Sequence, residues 1–442
     1  MKNIELKEFE GISSREKDKD SKEWKYDSDL PKKFSDEKDR ELLDELDKNL
    51  KIEEFLDGLR VKAKRSVGKC QFSDFSISVT PRFVSQENLS RFLDFSYGFS
   101  DDFMISNQVL TQTGLEDNLL NIMISTFTKN CKNLIKRGLY KTYEEQIEDL
   151  KYLKGKLLLQ NQIRNDFTKK LAFNCQYDDL ITNNNENQIC LHVLENYCYP
   201  RIENDEKKRD CSKLIKQFSI EVENPPELRL HKFDEVFYNR LNQHYESIHG
   251  LGKIIFQGFG ISDFYKFKKT NIYSFFVPMH DVYEKFLEKL FEKLNYDVES
   301  QIGQIAWKDQ DEKTMGIRTD ILLKDNKKIE FLIDAKYKEE LSPSDRYELG
   351  FYIHELQIST KTAYAILPYV RGLLHGTCTK CNLLRLKEPA RKDEFLESEK
   401  QGIKIEIKYL DTDKILEQIY DSNVSEKQIR DEIKKFIKPL KP

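Results

Sequence analysis

Residues 331–337 read Phe331-Leu332-Ile333-Asp334-Ala335-Lys336-Tyr337, an apolar run that ends in an acid, one small residue and a lysine. Upstream, the segment Ile317-Arg318-Thr319-Asp320-Ile321-Leu322-Leu323 carries a second aspartate among apolar neighbours. The pattern predicts two strands joined by the polar turn Lys324 to Lys328, with Asp320 and Asp334 side by side at a sheet edge. Strand side chains repeat every two residues, so Lys336 emerges on the face of Asp334. Two carboxylates suit a hard divalent cation, which takes oxygen ligands. A lysine beside them suits a phosphate and an attacking water. A surface hairpin with ordinary charges would carry the same letters, so the rest of the chain has to decide.

A chain of 442 residues has room for two or three domains. Its 38% hydrophobic and 34% charged residues describe a soluble protein with a densely charged surface. No apolar run reaches the roughly 18 residues of a membrane span, and Met1 to Glu5 open no signal-peptide core. Eight scattered cysteines are no disulfide framework. A cytoplasmic, reduced protein without a membrane partner is expected. The net charge of -4 argues against a general DNA-coating protein, yet it leaves room for a local basic groove or for a partner that supplies DNA affinity.

Of the first 60 residues, 33 are charged with both signs mixed, and Lys38 to Leu59 shows helical spacing. Residues 1–59 therefore read as a charged, partly disordered and helical extension, either a solvated segment or a partner-docking arm. Arg60 to Lys64 and Phe75 to Thr80 alternate like short strands of a small β module, with a turn near Gly68. Leu110 to about Leu171 reads as long amphipathic helices broken at Gly138. Helices are also expected through Ile189 to Tyr197 and Phe233 to Ile248, with a glycine-rich hinge from Gly250 to Gly260. Over 261–442 the pattern is a helix from Asp281 to Leu294, the two acidic strands, a helix from Ser344 to His354 capped by Ser342-Pro343-Ser344, and strands Ala363 to Leu367 and Gly402 to Leu410. That order, α-β-β-α-β, is an α/β sheet unit.

Glu284 lies on the helix before the acidic strands, where it either binds metal directly or through water, or faces solvent like Glu288 and Glu292. Glu348 and Tyr352 are four apart and share a helix face as candidate DNA contacts, and Arg346 stands nearby as a phosphate contact. Cys378-Thr379-Lys380-Cys381 after His375 lacks the second pair that a four-ligand zinc site needs, so it reads as free cysteines with half a zinc knuckle as the alternative. Gly250-Leu251-Gly252-Lys253 lacks phosphate-loop spacing, which leaves the chain without a nucleotide site of its own. The seven histidines show no HExxH, so a zinc peptidase has no support.

Several segments in fixed order resemble one family. They are Val61-Lys62-Ala63-Lys64 through Gly68, with Ile77 to Pro81; Arg137-Gly138-Leu139 with Tyr143, Leu150, Leu153, Gly155 and Leu157; and Cys175-Gln176-Tyr177-Asp178 with Asn187-Gln188-Ile189. Ser274 to Met279 with Val282 to Phe286 follows, and then Asp320 with Asp334-Ala335-Lys336-Tyr337-Lys338. Together, over roughly residues 60 to 420, they resemble McrC, the nuclease subunit of McrBC-type modification-dependent restriction systems. Thr319 departs from the family's usual proline, and Glu348 from its usual glutamine.

The resemblance implies an α+β N-terminal part over 60–260, a small β module plus a helical region that docks on a partner. An α/β PD-(D/E)xK restriction-endonuclease-like domain over 261–442 would follow. Asp320 and Asp334 would ligate Mg²⁺, with Mn²⁺ able to substitute; the Ala335 carbonyl would add a ligand, and Lys336 would orient water or stabilise charge on the phosphate. The implied partners are double-stranded, methylated DNA and an McrB-like AAA+ GTPase hexamer whose hydrolysis the chain stimulates. One active site per chain further suggests a self-dimer through the nuclease domain for double-strand cleavage. Two rival readings are a regulatory and assembly subunit with a silent nuclease, and a stand-alone PD-(D/E)xK nuclease.

Overall fold

In the computed structural model of the chain, the described residues are 2–21, 23–41, 43–98, 115–202, 204–259, 274–294, 296–308, 314–325, 328–358, 360–369, 394–397, 402–421, 424–425, 427–428 and 430. The chain forms two compact units, one from residues 1–119 and 265–442 and one from 120–264.

In the first unit a six-stranded sheet runs in the order Asp297–Lys308, Thr314–Asp325, Lys328–Ala335, Thr362–Pro368, Lys404–Leu410, Glu394–Glu397. Phe331 to Ile333 and Ala363 to Leu367 are buried on both faces, as uninterrupted apolar runs in central strands should be. One face packs on the Pro343–Glu355 helix through Leu322, Leu332, Leu349, Ile353 and Ala365. The Met279–Lys293 helix also packs on the sheet, and it buries a stripe of Val282, Tyr283, Phe286, Leu287, Leu290 and Phe291 at helical spacing. Its second partner is the Gln86–Tyr97 helix, whose Phe92 and Phe95 meet Phe286 and whose Ser96 hydroxyl donates to Val282 O (3.2 Å). The expected α-β-β-α-β order is present with two strands added at the sheet's edges, Asp297–Lys308 and Glu394–Glu397. The acidic strands are thereby interior, not at the sheet's side edge.

Residues 1–59 differ most from expectation. The described residues among them are folded, and the expected helix from Lys38 to Leu59 is two short helices, Glu37–Glu41 and Leu43–Leu46, followed by the strand Leu50–Phe55. Lys2–Lys7 pairs in parallel with Phe75–Thr80 in a sheet completed by Ser66–Gln71 and Ser274–Pro278. Lys25–Tyr26, Gly11–Ser13, Gly58–Ala63 and Leu50–Phe55 make a second sheet. Ile4, Leu6, Ile12, Leu50, Leu59, Val61, Ile77 and Phe276 close one core between them. Some of the charge is tied down in pairs such as Arg60–Asp18 (2.6 Å) and Arg15–Asp57 (2.8 Å). The Arg60 contact holds the Asp18 carboxyl down at about 2 against its burial.

The second unit takes in the Leu115–Arg137 helix from residue 120 onward, and the helix ends before Gly138. The helices expected onward to Leu171 are replaced by a three-stranded sheet of Thr142–Leu150, Phe173–Ile181 and Lys156–Leu157, with a short helix Leu159–Phe167. That sheet leaves Tyr143, Ile147 and Leu180 exposed. The helix expected near Ile189 is Asn185–Val193, capped by Asn184. The one expected from Phe233 to Ile248 is instead a single turn, His231–Asp234, and then Glu246–Phe259, so the supposed hinge from Gly250 is largely helix. Cys131, Cys190, Cys198 and Cys211 are buried and free. Cys378 and Cys381 lie outside the described residues. No helix among the described residues is long and apolar enough to cross a membrane.

Gly68, expected near a turn, sits within the Ser66–Gln71 strand opposite Phe276. A Cβ there would come 2.0 Å from the Phe275 carbonyl oxygen, which is backbone and cannot yield without parting the strands. Gly68→Ala is therefore expected to destabilise the protein by about 2 kcal/mol or more, read as a fall in thermal midpoint. A midpoint equal to that of the wild type would show that the two strands part at no cost.

Candidate active site

Ile321 lies opposite Ile333, and Leu322 opposite Leu332, in antiparallel register. Continuing that register by one residue sets Asp320 against Asp334. The Ala335 backbone N–H donates to Asp320 Oδ2 (2.8 Å), which fixes the first carboxylate against the strand that carries the second. Asp334 is buried, 4% exposed. Its Oδ2 forms an ion pair with the Lys336 ammonium (3.1 Å).

Lys336 is the hub of the charges. Beyond Asp334, its ammonium lies 3.3 Å from Glu348 Oε2 and 3.8 Å from Asp345 Oδ1. Burial works against that charge, but Asp334, Glu348 and Asp320 together outweigh it and hold the lysine above its ordinary pKa. Burial raises the Asp320 carboxyl to about 6, with the charge of Glu284 adding to it and the Ala335 N–H and Lys336 opposing. Asp334 is raised well above the usual range, first by burial and then by the charge of Asp320. Two acids this close and this dry resist ionising together unless a cation joins them.

Of the residues singled out from sequence, Asp320, Asp334, Ala335 and Lys336 come together, and Glu284 is near enough for its charge to act on Asp320. Glu348 joins through Lys336, and the Tyr352 hydroxyl donates to Glu348 Oε1 (2.9 Å). Arg346 is exposed on the same helix, and no hydrogen bond or ion pair among the described residues links its side chain to this group. Asp345 was not anticipated. It closes a capping box with Ser342 and pairs with Lys338; the Ser-x-x-Asp spacing was the available signal. Thr319 is buried with its hydroxyl unpartnered among the described residues, an environment that would suit a residue without a donor.

The side-chain oxygens brought together beside Lys336 are the carboxylates of Asp320 and Asp334. No group of three or more His, Cys, Asp or Glu side chains among the described residues is arranged to hold a metal ion. Asp320→Asn removes a charge that burial and Glu284 both oppose, and it can keep an acceptor for the Ala335 N–H. The variant is expected to gain about 1 kcal/mol of stability in chelator-treated protein, seen as a raised thermal midpoint. A comparable fall would mean that the Asp320 charge stabilises the fold.

The model of the family described as McrBC 5-methylcytosine restriction system component matches residues 61–370. No curated protein matches the chain significantly in sequence. Among solved structures, the half-complex from a tetradecameric assembly of Thermococcus gammatolerans McrB AAA+ hexamers with bound McrC is 18% identical, covering 98% of this chain and 99% of that one at a TM-score of 0.46. The cryo-EM structure of the Thermococcus gammatolerans McrBC complex is 19% identical, covering 67% and 89% at 0.41. The family match spans most of the chain and includes the whole Asp320–Lys336 group, and in agreement with the McrC resemblance this chain belongs to the McrBC 5-methylcytosine restriction system component family.

Proposed function

We propose that the chain is the Mg²⁺-dependent DNA endonuclease subunit of a modification-dependent restriction system, with a PD-(D/E)xK site on the six-stranded sheet. The observation that carries this reading is the convergence of Asp320, Asp334 and Lys336, with both carboxylates largely out of water and the Lys336 ammonium 3.1 Å from Asp334 Oδ2. Two largely buried carboxylates side by side, with one ammonium against them, fit a hard cation. Asp320, Asp334 and the Ala335 carbonyl would hold it. When bound, Mg²⁺ supplies electrophilic stabilisation of the phosphate and makes a nearby water more acidic.

The chain's own residues do the remaining work. The Ala335 N–H holds Asp320 in place, and Lys336 stays protonated against its acidic neighbours. Its ammonium is thus available to the negative charge that develops on a phosphodiester under attack by water. Glu348 and Tyr352 steady that ammonium from the helix that follows. The partner reading rests on membership of a multi-component restriction system: an AAA+ GTPase hexamer would select methylated DNA and translocate it, and this chain would stimulate its hydrolysis and cut.

Plasmid cleavage with the cognate AAA+ protein, GTP and Mg²⁺ tests the reading. Lys336→Ala and Asp334→Ala are each expected to lose a hundredfold or more in cutting rate, on the order of 3 kcal/mol of barrier, with partner binding intact. Undiminished cutting by Asp334→Ala would remove the site assignment. Partner stimulation without Asp334-dependent cutting would leave a regulatory subunit.

A further inference from the structure

Glu8 follows the Lys2–Lys7 strand, and its backbone N–H donates to Thr80 O (3.1 Å), so sheet pairing fixes its place. Its side chain is fully buried. Oε2 accepts from the Tyr337 hydroxyl (2.8 Å) and from the Arg82 backbone N–H (3.0 Å), while Oε1 has no hydrogen-bond partner among the described residues. Burial pushes this acid up to about 8, with the Arg82 and Tyr337 contacts opposing, so it is largely neutral at pH 7. A half-satisfied buried acid is a poor source of stability, and an apolar side chain of similar size would avoid its desolvation cost.

The other end of that hydrogen bond is where it matters. Tyr337 directly follows Lys336, at the point where the backbone leaves the Lys328–Ala335 strand. Just past the strand, the Lys336 N–H still donates to Ile366 O (3.0 Å), and the Lys338 N–H turns back to Lys336 O (2.9 Å). Side chains must hold the rest. The Tyr337 ring meets Phe83 edge-on (4.8 Å between centroids) and Tyr283 (5.6 Å), the residue before Glu284. Two residues on from Tyr337, Glu339 pairs with Arg82. The N-terminal segment therefore grips residues 337–339 at two points, immediately behind the lysine and the second aspartate.

We propose that the Glu8–Tyr337 hydrogen bond sets the positions of Asp334, Ala335 and Lys336, which makes Glu8 and Tyr337 positioning residues of the candidate active site. Glu8 lies outside residues 61–370, the part that the family model covers. The inference gives the N-terminal strand a role in the chemistry, and it rests on the nuclease reading for what that chemistry is.

The test uses the full chain as wild type, Tyr337→Phe, Glu8→Ala, Glu8→Gln and the Tyr337→Phe/Glu8→Ala double variant. Mn²⁺ affinity is measured by titration without DNA, and kcat and DNA KM are measured with the AAA+ partner and GTP, all well below the thermal midpoint of each variant. Tyr337→Phe and Glu8→Ala are each expected to weaken Mn²⁺ binding or lower kcat by about tenfold at unchanged KM, with the double variant no worse than either. Glu8→Gln copies the neutral acid in shape and keeps an acceptor for Tyr337, so it should stay within about threefold of wild type. A merely structural contact would lower the midpoint and move neither readout. Wild-type values of both in Tyr337→Phe, or equal losses in Glu8→Gln and Glu8→Ala, would overturn the proposal. If wild type binds Mn²⁺ but cuts nothing, the nuclease reading falls, and Mn²⁺ affinity alone decides the positioning role. Absence of Mn²⁺ binding by wild type would overturn both.

Discussion

Asp320 and Asp334 stand on neighbouring interior strands, where water screens their mutual repulsion poorly. The surroundings answer that repulsion piece by piece. A backbone N–H serves Asp320, and the Lys336 ammonium lies against Asp334. That ammonium is itself approached by Glu348 and Asp345 from the helix that follows, and Asp345 is held by its cap at the helix start and by Lys338. With Glu284 acting on Asp320 as well, acids outnumber the lysines here. The local charge is negative even with both lysines protonated. A site of this kind attracts a divalent cation before it attracts a phosphate, so the metal would come first and the DNA second.

The scaffold around this pair is drawn from both ends of the chain. Lys2–Lys7 and Ser274–Pro278 belong to one sheet, and the Met279 N–H at the start of the helix that carries Glu284 donates to Arg65 O (3.0 Å). Residues 120–264 are an insertion in sequence between two parts of one unit. Phe276 belongs to the N-terminal core while Glu284, eight residues on, lies close enough to act electrostatically on Asp320. The N-terminal strands and the six-stranded sheet are thus tied through a short stretch of chain.

The elements around the acids were legible because their pattern is local. Apolar runs mark the central strands, a stripe marks the Met279–Lys293 helix, and Ser342-Pro343 marks the next helix start. What failed was context. The density of charge in residues 1–59 suggested disorder, yet some of those charges are paired, and Ile4, Leu6, Ile12, Leu50 and Leu59 are buried. Tyr143, Ile147 and Leu150 fall at helical spacing but lie on a strand with no buried face, so the two-residue alternation that would have revealed it is absent. The Asp297–Lys308 strand lacked a strong alternating signal. Glu8 could not be paired with Tyr337 from sequence at all, since only the fold brings residues so far apart in the chain together.

A crystal soaked in Mn²⁺ tests the central claim most directly, since anomalous scattering locates the ion without regard to activity. A peak is expected where Asp320 and Asp334 would hold the ion, and it should be lost in Asp334→Asn. Saturating Mn²⁺ with no peak between the two aspartates, or a peak elsewhere that Asp334→Asn leaves unchanged, would contradict it.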